Sequence, residues 1–138
     1  MLDQLVNSPT MDYLSRGMSA ANLRHEVISN NIANVNTPKF KKSDVVFESL
    51  LAKELGYFDE EGKLDIVRTH DRHMPIPAFE PAAPTVVMDT STTMRTDRNN
   101  VDIDKEMANL AKNQIYFNAL AKVMGGHIQK IKTIATSK

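Results

Sequence analysis

The sequence predicts a mainly α protein, in which two long terminal helices pack as a coiled-coil-like hairpin around an irregular insertion of extended chain and short strands. Three observations carry that prediction. Residues 11–35 and residues 103–135 each repeat apolar side chains at alternating intervals of three and four, the heptad spacing of helices that pack along a seam. Between residues 56 and 95 that period vanishes. Four of the six prolines (Pro75, Pro77, Pro81, Pro84) fall there within ten residues, which favours extended chain over helix or ladder. The chain divides accordingly into an N-terminal helical arm with a short second helix (1–55), a Pro-rich insertion with short strands (56–95) and a C-terminal helical arm (96–138).

Composition narrows the function. At 138 residues one small, elongated domain is expected. Seventeen basic residues balance seventeen acidic ones, so bulk electrostatics does not point to nucleic acid. The absence of cysteine excludes a disulfide framework and a thiol nucleophile. No apolar run approaches the length of a membrane span. The opening MLDQLVNSPT has neither a basic n-region nor a long apolar core, and so is not read as a cleavable secretory signal.

Residues 1–8 open a helix that Ser8-Pro9-Thr10 interrupts, with Pro9 suited to the first turn of the next helix and Ser8 to its cap. The seam then runs Met11, Leu14, Met18, Ala21, His25, Ile28, Ile32 and Val35. His25 on that seam reads as a core or interface histidine. Residues 29–40, SNNIANVNTPKF, end the helix. Pro38 lacks the N–H of a continuing helix and drives Thr37 out of the helical region, so the helix is expected to stop at about Asn36. Asn30, Asn31, Asn34 and Asn36 are more amides than one stop requires, while Ile32 and Val35 continue the apolar face. Each amide carries donors and an acceptor, so this stretch is a candidate docking surface for another backbone.

Beyond the turn, Ser43 or Asp44 is the expected cap of a short helix reaching about Leu55. Phe47 and Leu51, four apart, would share one face of it. Asp59-Glu60-Glu61-Gly62 reads as a turn, Leu64, Ile66 and Arg68 as an alternating strand, and Thr85-Val86-Val87-Met88 as another. His70, Asp71 and His73 invite a metal assignment, but two histidines three apart share a face only on a helix, which Pro75 and Pro77 oppose. A solvated loop is the expectation there.

Asp102 is the expected cap of the last helix, with Asp104 and Glu106 complementing the positive end of its dipole. Its main seam is read as Ile103, Met107, Leu110, Gln114, Phe117, Ala121, Met124, Ile128, Ile131 and Ala135. A second stripe holds Tyr116, Leu120, Val123, His127 and Ile134. A helix apolar on two faces needs more than one partner. Gln114 is placed to fix register, and Gly125-Gly126 marks a flexible point or a close approach. Antiparallel packing would set the two asparagine-rich stretches at opposite ends of their partners.

Two motifs carry a resemblance. NNIANVNTPKF at residues 30–40 is similar to the N-terminal signature of the bacterial flagellar axial proteins, roughly N-N-I-A-N-x-N-T-P-G-Y. Lys39 replaces the glycine, which disfavours positive φ there, and Phe40 keeps the ring without the hydroxyl. The opening Asn99-Asn100-Val101-Asp102-Ile103-Asp104 is similar to the C-terminal signature of flagellar rod proteins. Together with the short length, these resemble the proximal rod members of the bacterial flagellar basal-body rod protein family. The resemblance implies a structural subunit, not an enzyme. It implies export through the flagellar type III apparatus and helical polymerisation in the periplasm through the terminal helices. The implied partners are other rod subunits and further copies of itself, proteins of the rod–membrane-ring junction, and the export gate.

The assembly interface is expected at Ile28, Asn30, Asn31, Ile32, Asn34, Val35, Asn36, Phe117, Leu120 and Met124. Phe47 and Leu51 resemble the Phe-x-x-x-apolar motif that export gates read in early flagellar substrates, and equally suit a packed amphipathic turn. No phosphate loop, catalytic triad or metal set is legible, and no cofactor is expected. The competing expectation is a free helical-hairpin adaptor or secretion chaperone, which would form a closed complex with one partner rather than a filament.

Overall fold

The computed structural model describes residues 8–54 and 83–136. Helix α1 (Pro9–Ala33) and helix α3 (Ile103–Thr136) form a long antiparallel hairpin. Between them lie strand β1 (Ser43–Val46), helix α2 (Glu48–Glu54) and strand β2 (Thr85–Met88). The expected opening of the chain before Ser8, the turn at Asp59-Glu60-Glu61-Gly62, the strand at Leu64 and Ile66, the prolines at 75, 77 and 81 and the His70, Asp71, His73 group fall outside the described residues.

Helix α1 starts where Pro9 loses nothing, since the first N–H groups of a helix have no intrahelical partner. Ser8 is extended at the cap, but only its carbonyl works there, accepting from the N–H of Met11 at 2.9 Å. The helix ends at Ala33 with Asn34 as its cap, a turn earlier than Pro38 alone demands. The reason is competition for the backbone. The Asn34 amide folds back onto the Asn30 carbonyl (2.9 Å) and side-chain oxygen (3.0 Å), and Thr37 Oγ1 donates to Asn34 Oδ1. None of the described asparagines takes the left-handed conformation. Lys39 does, at φ 64°, with its N–H held by the Asp97 carbonyl at 2.9 Å. The turn expected of glycine therefore survives its replacement.

Ser43 and Asp44 cap no helix. Residues 43–46 form β1, paired antiparallel with β2 so that Ser43 faces Met88 and Val46 faces Thr85. Two adjacent β-branched valines suit a strand once a partner is present. The short helix begins only at Glu48. Phe47 precedes it, with the Leu51 N–H closing on the Phe47 carbonyl at 2.9 Å. Phe47 is therefore the cap of that helix, one turn before Leu51, rather than a residue within it.

Asp102 caps α3 as expected, its Oδ1 accepting from the N–H groups of Asp104 (3.2 Å) and Lys105 (3.3 Å). The register of the hairpin is set by Gly17 against Leu120, Ala21 against Asn113 and Asn31 against Glu106. The face of α3 that meets α1 is thus Glu106, Leu110, Asn113, Phe117, Leu120, Met124 and His127, all buried or half-buried. This corrects the seam read from the sequence. Ile103, Met107, Gln114 and Ile128 are exposed, and so is His25 on α1. The packed heptad contains two polar residues, Glu106 and Asn113, which an apolar count passes over. Gly17, Ala20 and Ala21 are buried and let the helices approach closely. The larger buried apolar residues Ile28, Val45, Phe47 and Val101 gather instead at the end of the hairpin where the chain turns.

Candidate assembly site at the helix junction

Three asparagines are sealed at that end, Asn31 and Asn99 at 0% exposure and Asn100 at 1%. A buried amide is tolerated only if hydrogen-bonded, and each of these works as a staple between segments distant in sequence. Asn31 acts as a strand would: its Oδ1 accepts from the Ser43 N–H at 3.0 Å and its Nδ2 donates to the Ser43 carbonyl at 2.8 Å. The same Nδ2 donates to Glu106 Oε2 at 3.0 Å, tying α1, β1 and α3 at one point. Asn99 Nδ2 donates to the carbonyls of Asn34 (3.0 Å), Val35 (3.1 Å) and Thr37 (2.9 Å), oxygens of the turn that ends α1 and that also accept from the Thr37 N–H, the Arg95 guanidinium and the Phe40 N–H. Its own Oδ1 accepts from the Val101 N–H at 2.7 Å. Asn100 accepts from the Lys42 N–H at 2.7 Å and donates to the Asp89 carbonyl and Thr92 Oγ1.

Around the staples lies a belt of charge. Arg24 grips Glu48 through two bonds of 2.6 and 2.7 Å and reaches the Val45 carbonyl at 3.2 Å. The hydrogen bond from Arg24 holds the Glu48 carboxyl below its usual range, and the same bond raises Arg24. Asp89 accepts from the Ser91 N–H and hydroxyl and from Thr92, which lowers its pKa to about 2. A groove of about 470 Å³ opens between α1, β1 and α3, lined by Arg24, Asp44, Glu48, Lys112, Asn113 and Tyr116. Burial raises the Tyr116 hydroxyl pKa.

The residues expected at the interface are therefore spread. Ile28 and Asn31 are buried inside the junction, while Asn34, Ile32 and Val35 are half-buried beside it. Asn30 and Asn36 are exposed. Phe117, Leu120 and Met124 lie farther up the hairpin, half-buried on the α1 side. Phe47 is fully buried and Leu51 half-buried. The two asparagine-rich stretches meet at one end of the hairpin rather than standing at opposite ends, because the last turn of α1 and the first of α3 are neighbours.

Both motifs lie in stretches that match known proteins. Residues 11–41 match the family model described as flagella basal body rod protein. The chain is 36% identical over 129 residues to the flagellar basal body rod protein FlgB of Bacillus subtilis, covering 94% of this chain and 95% of that one. The chain belongs to the FlgB family of flagellar basal-body rod proteins. Other FlgB relatives include those of Borreliella burgdorferi (32% identical, 91% and 94% covered) and Yersinia enterocolitica (28% identical, 97% of each). The FlgB family is one of structural rod proteins rather than of enzymes. None of the described helices is long and apolar enough to cross a membrane.

Sequence reasoning placed Asn99 and Asn100 in a motif but gave them no task, and it missed Glu106 and Asn113 as seam residues. The available signal was a pair of amides just before a helix cap.

Proposed function

We propose that the chain is a structural subunit of the proximal rod of the bacterial flagellum. It is exported by the flagellar type III apparatus and polymerised in the periplasm through its terminal helices. The observation that supports this best is relatedness to FlgB proteins along nearly the whole chain. A helical polymer needs a rigid unit whose ends are fixed relative to each other, and the amide staples supply that. The partners under this reading are other rod subunits, further copies of the chain, the rod–membrane-ring junction proteins and the export gate. The interface includes Asn30 and Asn36, which remain exposed in the single chain.

Deletion of the gene, with electron microscopy of basal bodies and a swimming assay, tests the reading. Loss of the rod beyond its base, restored by the intact gene, is expected. Intact rods in the deletion would overturn it in favour of an adaptor.

Phe47 and Leu51 as an export signal call for a separate test, because Phe47 is sealed in the folded chain. A gate that reads it must meet the chain unfolded. Phe47→Ala with Leu51→Ala should leave the protein in the cytoplasm. Val101→Ala, equally deep in the core, should still be exported. Equal retention of both variants would reduce the pair to packing.

A further inference from the structure

The two outward faces of the hairpin differ in charge. On α1 the exposed stripe opposite α3 runs Asp12, Ser15, Ser19, Asn22 and Glu26. Its only charged groups are carboxylates. Asp12 pairs at one oxygen with Arg16 and keeps 64% of its side chain exposed. On α3, from Met107 to the last described residue, four lysines (Lys112, Lys122, Lys130, Lys132) stand with no carboxylate at all. Ile115 lies between them, 70% exposed. Open space borders Gly126 on the same side.

Register decides which residues of the two faces stand level. Within one hairpin Gly17 stands opposite Leu120 and Asn31 opposite Glu106. Carried along both helices, this sets Glu26 level with Lys112, Asn22 level with Ile115, and Asp12 level with Lys122 to within a turn. A neighbouring hairpin in the same orientation, without stagger, would bring its α1 stripe against the α3 stripe at those same levels. Opposite charges then meet at both ends of the contact, with Ile115 covered between them. A neighbour turned by a two-fold in the plane of the hairpin would instead set α3 against α3, lysine against lysine.

We propose that the outward faces of α1 and α3 are the two halves of one heterologous contact between copies of this chain, side by side and in the same orientation, with Glu26 against Lys112 and Asp12 against Lys122. The two patches differ, so the contact does not close at two molecules and grows into a ring or helix. The proposal rests on the rod reading and adds to it which faces join like subunits.

The natural chain lacks cysteine, so introduced pairs report one contact. Asn22→Cys with Ile115→Cys is made in the intact chain and expressed in cells that depend on it for swimming. Outward residues of one hairpin, with helix axes roughly 8–10 Å apart, are too distant for a disulfide within the molecule. Mild oxidation should yield a ladder of dimers, trimers and higher species. A dimer alone would mean a closed two-fold contact, and no cross-link in swimming cells would mean that other proteins cover these faces. Either result overturns the proposal while the rod reading stands. Charge reversal checks it independently: Glu26→Lys and Lys112→Glu should each cut swimming at least tenfold, and the double variant should restore it. A double variant as impaired as the singles overturns it too. Normal swimming after deletion of the gene would instead remove the rod reading itself.

Discussion

Asn99 shows how much one side chain can hold when geometry is right. Its amide nitrogen faces three carbonyl oxygens in a site sealed from water. Asn99→Asp changes little in volume but sets a carboxylate oxygen among those acceptors. Leaving buried polar groups unpaired costs about 1–3 kcal/mol each, and more for a charge. Loss of about 3 kcal/mol is expected, measured by urea denaturation. Asn36→Asp, at an exposed position, should lie within about 0.5 kcal/mol of the parent. Asp89 makes a pH prediction. Its ordinary pKa of 3.8 falls to about 2 in the fold, because Ser91 and Thr92 donate to the charged form. A depressed carboxylate favours the folded state above its unfolded pKa and loses that contribution as pH falls through the folded value. The turn at Asp89 should therefore hold unchanged down to about pH 4 and loosen only towards pH 2, as read by NMR titration of the Ser91 amide. Asp89→Asn should flatten that dependence.

At the scale of elements, glycines on the two long helices make opposite predictions. A Cβ added at Gly17 would lie 3.3 Å from Leu120 Cδ1 and 3.7 Å from the Tyr116 hydroxyl, so a branched side chain has nowhere to go. Gly17→Val should destabilise by about 1–3 kcal/mol through overpacking. At Gly126 nothing lies within 4 Å, so Gly126→Ala should stabilise the isolated chain by up to about 1 kcal/mol through helix propensity alone. Melting followed by circular dichroism measures both. The helices themselves were legible because heptad spacing is local. Which stripe of α3 faces α1 was not, because Glu106 and Asn113 occupy seam positions that look polar in one dimension. The strand at Ser43–Val46 was missed for a related reason. Four residues carry little periodicity, and their partner Thr85–Met88 lies some forty residues away in the chain.

As a whole, the molecule concentrates its sealed core at one end of the hairpin. Ile28, Val45, Phe47 and Val101 lie there with the asparagines, whereas the α3 residues beyond Asn113 are at most half-buried. Resistance to local opening follows burial and hydrogen bonding. Hydrogen exchange on the isolated chain should therefore be slowest around Asn31, Val45 and Val101. It should become faster along α3 towards Thr136, by at least a hundredfold. Uniform protection along α3 would mean that the hairpin needs no neighbour. The meeting of the two motifs was not visible in the sequence, since nothing in either stretch names the other as its hydrogen-bond partner.

Time, as well as shape, is written into the staples. The bonds from Asn31 to Glu106, from Asn99 to the α1 turn and from Lys42 to Asn100 join residues 75, 62–65 and 58 apart. Closing loops of that length costs an unstructured chain about 4 kcal/mol before any contact repays it. It also makes formation of the junction slow compared with that of the helices. A chain that emerges into free space N-terminus first cannot latch its leading motif until Asn99, Asn100 and Glu106 have followed. For three quarters of its passage it stays an unlocked thread, and it becomes a rigid part only as its last helix arrives.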